Sequence, residues 1–281
     1  MNDFEERIKA AKMRLKDADA VVVGAGAGLS AAAGLDYSGP EFRKEFADYI
    51  EKYGFPDLYS SSFHEFKTEE ERWARWARHI DFIRFRPDAM ELYKELYDLV
   101  KTKNYFVITT NVDAQFRKAG FDPARIFEVQ GDYGQMQCAV GCHQKLYSDK
   151  DVVKEIVKHS HDLTVDSKYI PKCPVCGGNM DVHVRKNQFF VQDEAWYESA
   201  ERYEEFMKRY ADNGTVALLE LGIGYNTPTI IRYPFERIVF NNPHATLIRL
   251  NAEYPHGPQE TASRTISFTE NMNDVIEKLS K

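Results

Sequence analysis

The chain has 281 residues and a mass of 32.5 kDa, which at roughly 150 residues per domain predicts one large domain or two unequal ones. Its composition, 43% hydrophobic and 29% charged, is that of an ordinary globular protein and excludes collagen, coiled coil and low-complexity disorder. The formal net charge of -7 leaves no basic surplus for gripping a phosphate backbone. Nucleic acid is therefore not expected as a partner.

The hydropathy pattern also excludes a membrane span. No stretch approaches the roughly 18 consecutive apolar residues that a spanning helix needs. The first twenty residues form a charged helix pattern without the apolar core of a signal peptide. We expect a cytoplasmic protein that makes no membrane contact.

The first elements alternate between strand and helix. After the opening helix, residues 17–23 are an apolar run ended by glycines, as in a buried parallel strand, and residues 29–33 resemble a helix. Residues 40–100 are rich in aromatic and charged residues and predict a helical insertion. Its apolar face is marked by four residues at helical spacing, Trp73, Trp76, Ile80 and Ile83.

The alternation resumes further along the chain. A helix over 90–100 leads to a strand over 105–109, and the segment Thr110-Asn111-Val112-Asp113 follows at its carboxyl end, where open α/β sheets place ligand chemistry. Later segments predict a returning strand over 182–185, a polar helix over 194–212, and strands over 216–221 and 245–250.

These elements predict an α/β fold: a Rossmann-type doubly wound parallel sheet with a small domain made of a zinc-binding module and a helical module. The predicted boundaries are 1–39, 90–135 and 190–281 for the Rossmann-type domain, 40–89 for the helical module and 136–189 for the zinc-binding module.

A glycine-rich turn stands between the first strand and the next helix, in residues 24–30, GAGAGLS. Glycines here let backbone N–H groups approach a pyrophosphate, and the helix N-terminus favours negative charge. Tight packing between helix and strand is the alternative interpretation. No acidic residue ends an obvious second strand about 20 residues later, so this is not a standard dehydrogenase fingerprint.

The four cysteines form two pairs, Cys138 with Cys142 and Cys173 with Cys176. Four thiolates complete a closed tetrahedral zinc shell with no open position for water, so one structural Zn²⁺ per chain is predicted. His143 is interpreted as a bystander. A redox pair at Cys173 and Cys176 is the competing interpretation, but it leaves the other two cysteines unexplained.

Together these motifs resemble the sirtuin family. The family's first signature resembles residues 26–35, its second resembles residues 110–113, and the paired-cysteine module follows in the family's order. Residues 221–224, LGIG, and 250–253, LNAE, resemble the family's two late segments. The resemblance implies a Rossmann-type domain with NAD as co-substrate, bound in the cleft between the two domains.

The chain departs from the family at the catalytic position. Where sirtuins have His-Gly, this sequence has Gln130-Gly131. The loop after the first signature is also rebuilt, as Asp36-Tyr37-Ser38-Gly39, and the family's peptide-binding Phe-Gly-Glu stretch has no clear counterpart. The family histidine acts as a general base in deacylation, and a glutamine has no proton-accepting state near pH 7. We therefore expect ordinary deacylase activity to be strongly reduced.

Cleavage of the nicotinamide–ribose bond does not depend on a general base in the same way. Its cationic transition state is stabilised mainly by correct positioning of the substrate and by electrostatic interactions. An acceptor carboxylate is already ionised at neutral pH. The pattern resembles the macrodomain-linked microbial sirtuins, and it implies a protein mono-ADP-ribosyltransferase. The same resemblance implies a lipoylated carrier similar to the glycine-cleavage H protein as acceptor, and a macrodomain protein that removes the modification.

The resemblance also implies site residues. The predicted catalytic residues are Asn111, Asp113, Gln130 and Arg185. The predicted cofactor-binding residues are Gly26, Ala27, Gly28, Ser30, Leu35, Asp36, Asn111, Asp113, Gln130, Gly222, Gly224, Asn226, Asn251 and Glu253. The predicted metal ligands are Cys138, Cys142, Cys173 and Cys176.

Arg185 is chosen on a strand argument. If Val182 and Val184 face the core, then His183 and Arg185 face the cleft, where a guanidinium can clamp an acceptor carboxylate. A solvated surface arginine is the alternative. Three other functions stay open: a deacylase that uses His183 or a water as base, an NAD hydrolase, and a non-catalytic NAD-sensing adaptor.

Overall fold

Two β-sheets organise the protein, whose structure is a computed structural model that describes residues 4–35, 37–211 and 214–281. The strands are β1 (Ala20–Ala25), β2 (Tyr105–Thr109), β3 (Ile126–Glu128), β4 (Gly131–Cys138), β5 (Tyr147–Ser148), β6 (Met180–Val184), β7 (Val216–Leu221), β8 (Thr246–Leu250) and β9 (Thr265–Phe268). The larger sheet has the order β3-β2-β1-β7-β8-β9, and the smaller one β5-β4-β6.

Helices cover both faces of the larger sheet and build most of the rest. They are α1 (Phe4–Asp17), α2 (Ala27–Ala32), α3 (Pro40–Glu45), α4 (Ala47–Tyr53), α5 (Leu58–Ser61), α6 (Glu69–Ile80), α7 (Glu91–Val100), α8 (Gln115–Lys118), α9 (Lys150–His159), α10 (Glu194–Tyr210), α11 (Arg232–Asn241) and α12 (Met272–Ser280). A π-helical turn, Asp81–Phe85, continues α6, and 3-10 turns lie at Pro123–Arg125, Ser167–Tyr169 and Gln259–Arg264.

The predicted fold class is confirmed. Every pairing in the larger sheet is parallel, and β1 is paired on one side with β2 and on the other with β7. Successive strands are therefore added on one side of β1 up to β3 and on its other side from β7 onward, so the strand order reverses between β1 and β7. In open α/β sheets, ligands bind beyond the carboxyl ends of the strands at such a switch point.

The sequence explains why these strands lie in the centre. All residues of β1, β2 and β7 are buried, because helices pack on both faces of a parallel sheet. Helices α1, α7 and α12 cover one face, and α10 and α11 cover the other. The predicted strands at 105–109 and 216–221 are confirmed with the same bounds. The predicted strand at 182–185 is β6, which ends one residue before Arg185.

The small sheet and the helices of residues 40–85 share a separate core. Trp73, Trp76, Ile80 and Ile83 are all buried in it, which confirms the predicted apolar face. The core also includes Cys138 and Cys173, so the helical and cysteine-containing segments pack together. Strand β4 begins at Gly131, before the predicted module boundary at 136, and the domain boundaries stay a prediction. In the described chain, no helix is both long enough and apolar enough to cross a bilayer.

The carboxyl ends of β1 and β7 touch through their glycines. Gly222 has a φ of 61°, and a Cβ on it would lie 2.5 Å from the backbone of Gly28. We expect Gly222→Ala to lower the free energy of unfolding by roughly 2–4 kcal/mol, because it adds left-handed strain and a backbone clash. Gly224→Ala is the matched control, since a Cβ there meets nothing within 4 Å. The free energy of unfolding of both variants is measured by urea denaturation. Equal losses of stability in the two variants would contradict the close approach of Gly222 to Gly28.

Candidate active site and metal centre

A buried hydrogen-bond network joins the end of β2 to the start of α2. Asn111 Nδ2 donates to the Gly26 carbonyl at 3.0 Å and lies 3.0 Å from Ser30 Oγ and 3.2 Å from the Tyr93 hydroxyl. Ser30 Oγ in turn donates to Asp113 Oδ2 at 2.5 Å. The structure thus brings together four predicted site residues, Gly26, Ser30, Asn111 and Asp113, and one, Tyr93, that the sequence did not reveal. None of these contacts uses Asn111 Oδ1, so that atom can accept a hydrogen bond from a ligand.

The Asp113 side chain is almost fully buried, with 2% of the residue's surface exposed. Its Oδ1 accepts the Gln115 backbone N–H at 2.9 Å, which fixes the start of α8. Burial raises the pKa of Asp113, and the hydrogen bond from Ser30 opposes that rise. The same carboxylate adds to the raised pKa of the buried Tyr93 hydroxyl, which therefore stays protonated and can donate.

The glycine-rich turn is used for packing as well as for access. The Gly28 N–H donates to the Gly222 carbonyl at 3.1 Å, and the Gly26 N–H donates to the Leu221 carbonyl at 3.0 Å. These two donors are therefore engaged within the protein. Ala27, at the first position of α2, is exposed. A phosphate contact in this turn stays a prediction.

Leu35 and Asp36 were also predicted to contact the cofactor. Leu35 is buried and packs in the core of the small sheet and helical segment. It thereby ties the end of the glycine-rich segment to the smaller part of the protein. Asp36 lies outside the described residues.

The loops after β7 and β8 hold the predicted adenosine-side residues. Asn251 Nδ2 donates to the Ile223 carbonyl at 2.8 Å, so the two loops are joined directly. Asn251 Oδ1 accepts the backbone N–H groups of Glu253 and Tyr254 at 3.1 and 2.9 Å. Gly222 lies against the first glycine turn, whereas the remaining three predicted residues are exposed: Gly224, Asn226 and Glu253.

A buried ion-pair network orders these loops, and no sequence motif predicted it. Glu220 in β7 accepts from Arg249 in β8 at 2.7 and 2.9 Å, and both side chains are fully buried. Arg232 lies 3.6 Å from Glu220 and donates to the carbonyls of Tyr254 and His256. Glu236 is a second acid of this network, since its Oε1 accepts from Arg249 at 2.8 Å and lies 3.5 Å from Arg232 Nε. Buried charges persist when they are paired and hydrogen-bonded in this way. The loop that begins at Asn251 is thereby fixed.

Gln130 lies in a tight turn between β3 and β4. Its Oε1 is buried and has no hydrogen-bond partner among the described residues. The turn requires glycine next, because Gly131 has a φ of 100° and a Cβ there would lie 2.1 Å from the His183 carbonyl. An unpartnered buried acceptor suits a ligand that brings a hydroxyl donor.

Arg185 is held next to this turn. Its backbone N–H donates to the Gln130 carbonyl at 3.0 Å. Its guanidinium carbon lies 4.3 Å from the centre of the Phe190 ring and 5.7 Å from that of Trp196, and Trp196 Nε1 donates to the Val129 carbonyl at 3.3 Å. The side chain is exposed, and no ion pair to it is found in the described chain. Aromatic faces therefore orient a guanidinium that is free to bind an acid.

His183, which the strand argument placed on the same face as Arg185, is buried, whereas Arg185 is exposed. The His183 Nε2 lies 2.9 Å from the Val191 carbonyl, and its ring stacks on Phe190. Burial lowers the pKa of this imidazole. Phe190 therefore packs against both His183 and Arg185.

The four cysteines meet in space, as predicted. Their Sγ atoms all lie within 4.8 Å of one another, with Cys138 and Cys176 3.8 Å apart and Cys142 and Cys173 3.7 Å apart. A tetrahedral site with Zn–S bonds near 2.3 Å needs sulfur–sulfur distances of about 3.8 Å. The donor set and spacing therefore fit one Zn²⁺. His143 Nδ1 lies 3.0 Å from Cys142 Sγ, and its Nε2 lies 2.9 Å from the Tyr147 hydroxyl, which places it beside the thiol group rather than in the set of four.

Known proteins share this arrangement. The sequence profile of the Sir2 family matches residues 26–195, which span the glycine-rich turn, the Asn111 network and the cysteine cluster. The chain belongs to the Sir2 family. Sirtuins are NAD-dependent enzymes, and the matched segment includes the turn and the buried network described above.

Two curated relatives extend over most of this sirtuin. A protein of Staphylococcus aureus strain Mu50, named protein ADP-ribosyltransferase, is 34% identical over 277 residues, covering 98% of this chain and 88% of that one. A protein of Fusarium oxysporum f. sp. cubense, named probable bifunctional ADP-ribose hydrolase/ADP-ribosyltransferase, is 32% identical over 251 residues, covering 86% of this chain and 41% of that one.

Solved structures support the fold. A Sir2 homologue determined as a complex with NAD aligns over 100% of this chain and 93% of its own, with a TM-score of 0.57 and 15% identity. At that identity the likeness concerns the fold.

The cysteine geometry predicts the metal content. Purified protein should contain about one zinc per chain, and Cys173→Ser should reduce that content strongly, because three ligands leave an open shell. Chelation should lower the thermal stability of the small sheet, measurable by calorimetry. His143→Ala is the control and should keep its zinc. Unchanged zinc content in Cys173→Ser would contradict the four-thiolate site.

Proposed function

We propose that this sirtuin is an NAD-dependent protein mono-ADP-ribosyltransferase. The observation that carries the proposal is Gln130, at the position of the sirtuin histidine, with its Oε1 buried and unpartnered among the described residues. An amide at this position orients a ribose hydroxyl and cannot take its proton. The names of the two curated relatives support the same activity.

The reaction needs no general base when the acceptor is a carboxylate. The bond between nicotinamide and C1′ of the ribose breaks, and its electron pair leaves with the nicotinamide nitrogen. A carboxylate oxygen of the acceptor protein forms the new bond to C1′, with no proton to remove at neutral pH. The products are nicotinamide and an ADP-ribosyl ester. Loss of the histidine thus removes the deacylation step and leaves transfer intact.

The buried network supplies positioning for this reaction. Asn111 is fixed by the Gly26 carbonyl and by Ser30, so its Oδ1 has one orientation. Asp113 places a negative charge beside the developing oxocarbenium ion, and its burial strengthens that interaction. A sensor that only binds NAD has no evident need for this rigid acid and amide pair.

Arg185 is proposed to receive the acceptor carboxylate. Its backbone N–H donates to the Gln130 carbonyl, so Arg185 lies directly beside the turn. The rings of Phe190 and Trp196 limit the freedom of its side chain. A planar guanidinium can hold one carboxylate through two parallel hydrogen bonds. The same two hydrogen bonds would hold the attacking oxygen close to C1′.

The identity of the acceptor is a finer proposal that the resemblance alone supports. We infer a lipoylated carrier similar to the glycine-cleavage H protein, and a macrodomain protein that reverses the modification. The Fusarium relative is named for both transfer and hydrolysis of ADP-ribose, which supports a functional link between the two activities. The cytoplasm is the proposed location.

A labelling experiment tests the activity. The purified sirtuin, isotopically labelled NAD and native extract, or lipoylated and unlipoylated carrier protein, are incubated and protein-bound label is followed by gel and mass spectrometry. We expect label on one acceptor, and its loss in Asn111→Ala. Asn104→Ala is the matched control, because Asn104 precedes the other end of β2, where its side chain donates to the Asp19 carbonyl.

Each alternative function has its own product in this experiment. Released nicotinamide without labelled protein, with O-acyl-ADP-ribose formed from acyl-lysine peptides, would replace the proposal with a deacylase. Nicotinamide and free ADP-ribose alone would indicate a hydrolase. Bound NAD without nicotinamide release would indicate the adaptor.

Arg185 has a separate test. Arg185→Ala should reduce transfer by roughly 10–100-fold while the Kd for NAD stays the same, because a charge-assisted bidentate contact is lost. Arg185→Lys should rescue only in part, since it keeps the charge without the planar fork. Arg202→Ala removes an exposed arginine from α10 as a control. Transfer unchanged in Arg185→Ala would remove this residue from the mechanism.

A further inference from the structure

Helix α6 carries two polar side chains into the core of the smaller part of the protein. Arg75 and His79 lie one turn apart on it, and both have no exposed surface. They are flanked by Tyr37, Trp76 and Tyr133. None of these five residues belongs to the NAD site argued above.

Arg75 is a buried cation without an acid. Its Nη2 donates to the Leu58 carbonyl at 2.8 Å and to the hydroxyls of Ser61 and Ser62. Its guanidinium carbon lies 4.5 Å from the centre of the Trp76 ring, but its Nε and Nη1 have no hydrogen-bond partner, and no carboxylate in the described ranges pairs with it. Burial lowers its pKa to about 10, so the side chain is still charged at neutral pH.

His79 is equally unsatisfied. Neither of its ring nitrogens has a hydrogen-bond partner among the residues described. Burial, reinforced by the Arg75 charge, lowers its pKa, so it is neutral and offers one donor and one acceptor. Its ring stacks on Trp76 with centroids 5.3 Å apart and meets the Tyr133 ring edge-on at 4.8 Å.

Two other buried arginines of this protein are paired with an acid. Arg232 and Arg249 are also fully buried, and both face Glu220. An uncompensated buried charge costs several kcal/mol, which is why such groups are normally paired. Arg75 therefore lacks a partner that an anion from outside the chain can supply.

Two residues at the edge of the cluster, Tyr37 and Ser62, are only half-buried. The Tyr37 and Tyr133 hydroxyls are hydrogen-bonded to each other. Burial raises the pKa of both tyrosines, and the Asp113 carboxylate raises each further, so the pair lies within electrostatic reach of that residue.

We propose that the cluster of Arg75, His79, Tyr37 and Tyr133 is a binding site for a small carboxylate anion. The unpartnered N–H groups of Arg75 would bind the carboxylate oxygens, and the neutral His79 would donate one further hydrogen bond. The closely packed Trp76 and Tyr133 rings restrict the site to a small acid. The site does not depend on the transferase activity.

Acetate is the probe. Thermal unfolding of the full chain is measured in sodium acetate and in sodium chloride at equal pH and ionic strength. We expect an acetate-specific rise in Tm that increases with the logarithm of concentration, roughly 3 °C at ten times Kd. Acetamide, the neutral isostere, should give no rise. An acetate effect no greater than that of chloride would overturn the proposal.

Variants assign the effect to Arg75. Arg75→Met should abolish the acetate-specific rise, whereas Arg78→Met should keep it, because Arg78 is already paired with Asp48 at 2.7 Å. If Arg75→Met does not fold, Arg75→Gln retains a donor toward the Leu58 carbonyl without the charge and should also lose the rise. An undiminished rise in a folded Arg75 variant would contradict the site.

Discussion

The hydrogen bond between Ser30 and the buried carboxylate of Asp113 is the contact on which the active-site end of the sheet depends. An acid this far from water persists only when its oxygens are satisfied, and here a hydroxyl and the start of α8 do so. Because Ser30 lies in α2 and Asp113 follows β2, the bond fixes the glycine-rich helix against the neighbouring strand end. Asn111 and Tyr93 complete the network and remove the remaining freedom of both segments.

The other half of the site is fixed by charge rather than by neutral hydrogen bonds. The Glu220–Arg249 pair crosses from β7 to β8, and Arg232 extends it to the loop that follows Asn251. Fully buried ion pairs contribute little net stability, but removing one member is strongly destabilising. Such a network therefore favours one loop conformation over others. Together with the contact between Gly28 and Gly222, it makes a preorganised cleft from segments far apart in the chain.

The sequence was sufficient for features encoded locally. Apolar runs of strand length, the glycine-rich turn and the two cysteine pairs identified the parallel sheet and the sulfur cluster, because each depends on residues adjacent in the chain. Tyr93, Glu220 and Phe190 could not be found in this way. Tyr93 looks like any aromatic residue on an amphipathic helix, and Glu220 acquires a partner only through the register of β7 with β8. The inward position of His183 depends on where β6 ends, which alternation alone does not fix.

The proposed function depends on Gln130 standing where the family has its catalytic histidine. The amide and acid of the network remain, the glycine after Gln130 is still required by backbone geometry, and Arg185 is bonded directly to the turn. Removing the base from an otherwise rigid site selects against acceptors that must lose a proton, since their nucleophilicity near pH 7 depends on it. Acceptors that are already ionised lose nothing. On the proposed assignment, the guanidinium of Arg185, oriented on Phe190, would recognise such a group beside Gln130.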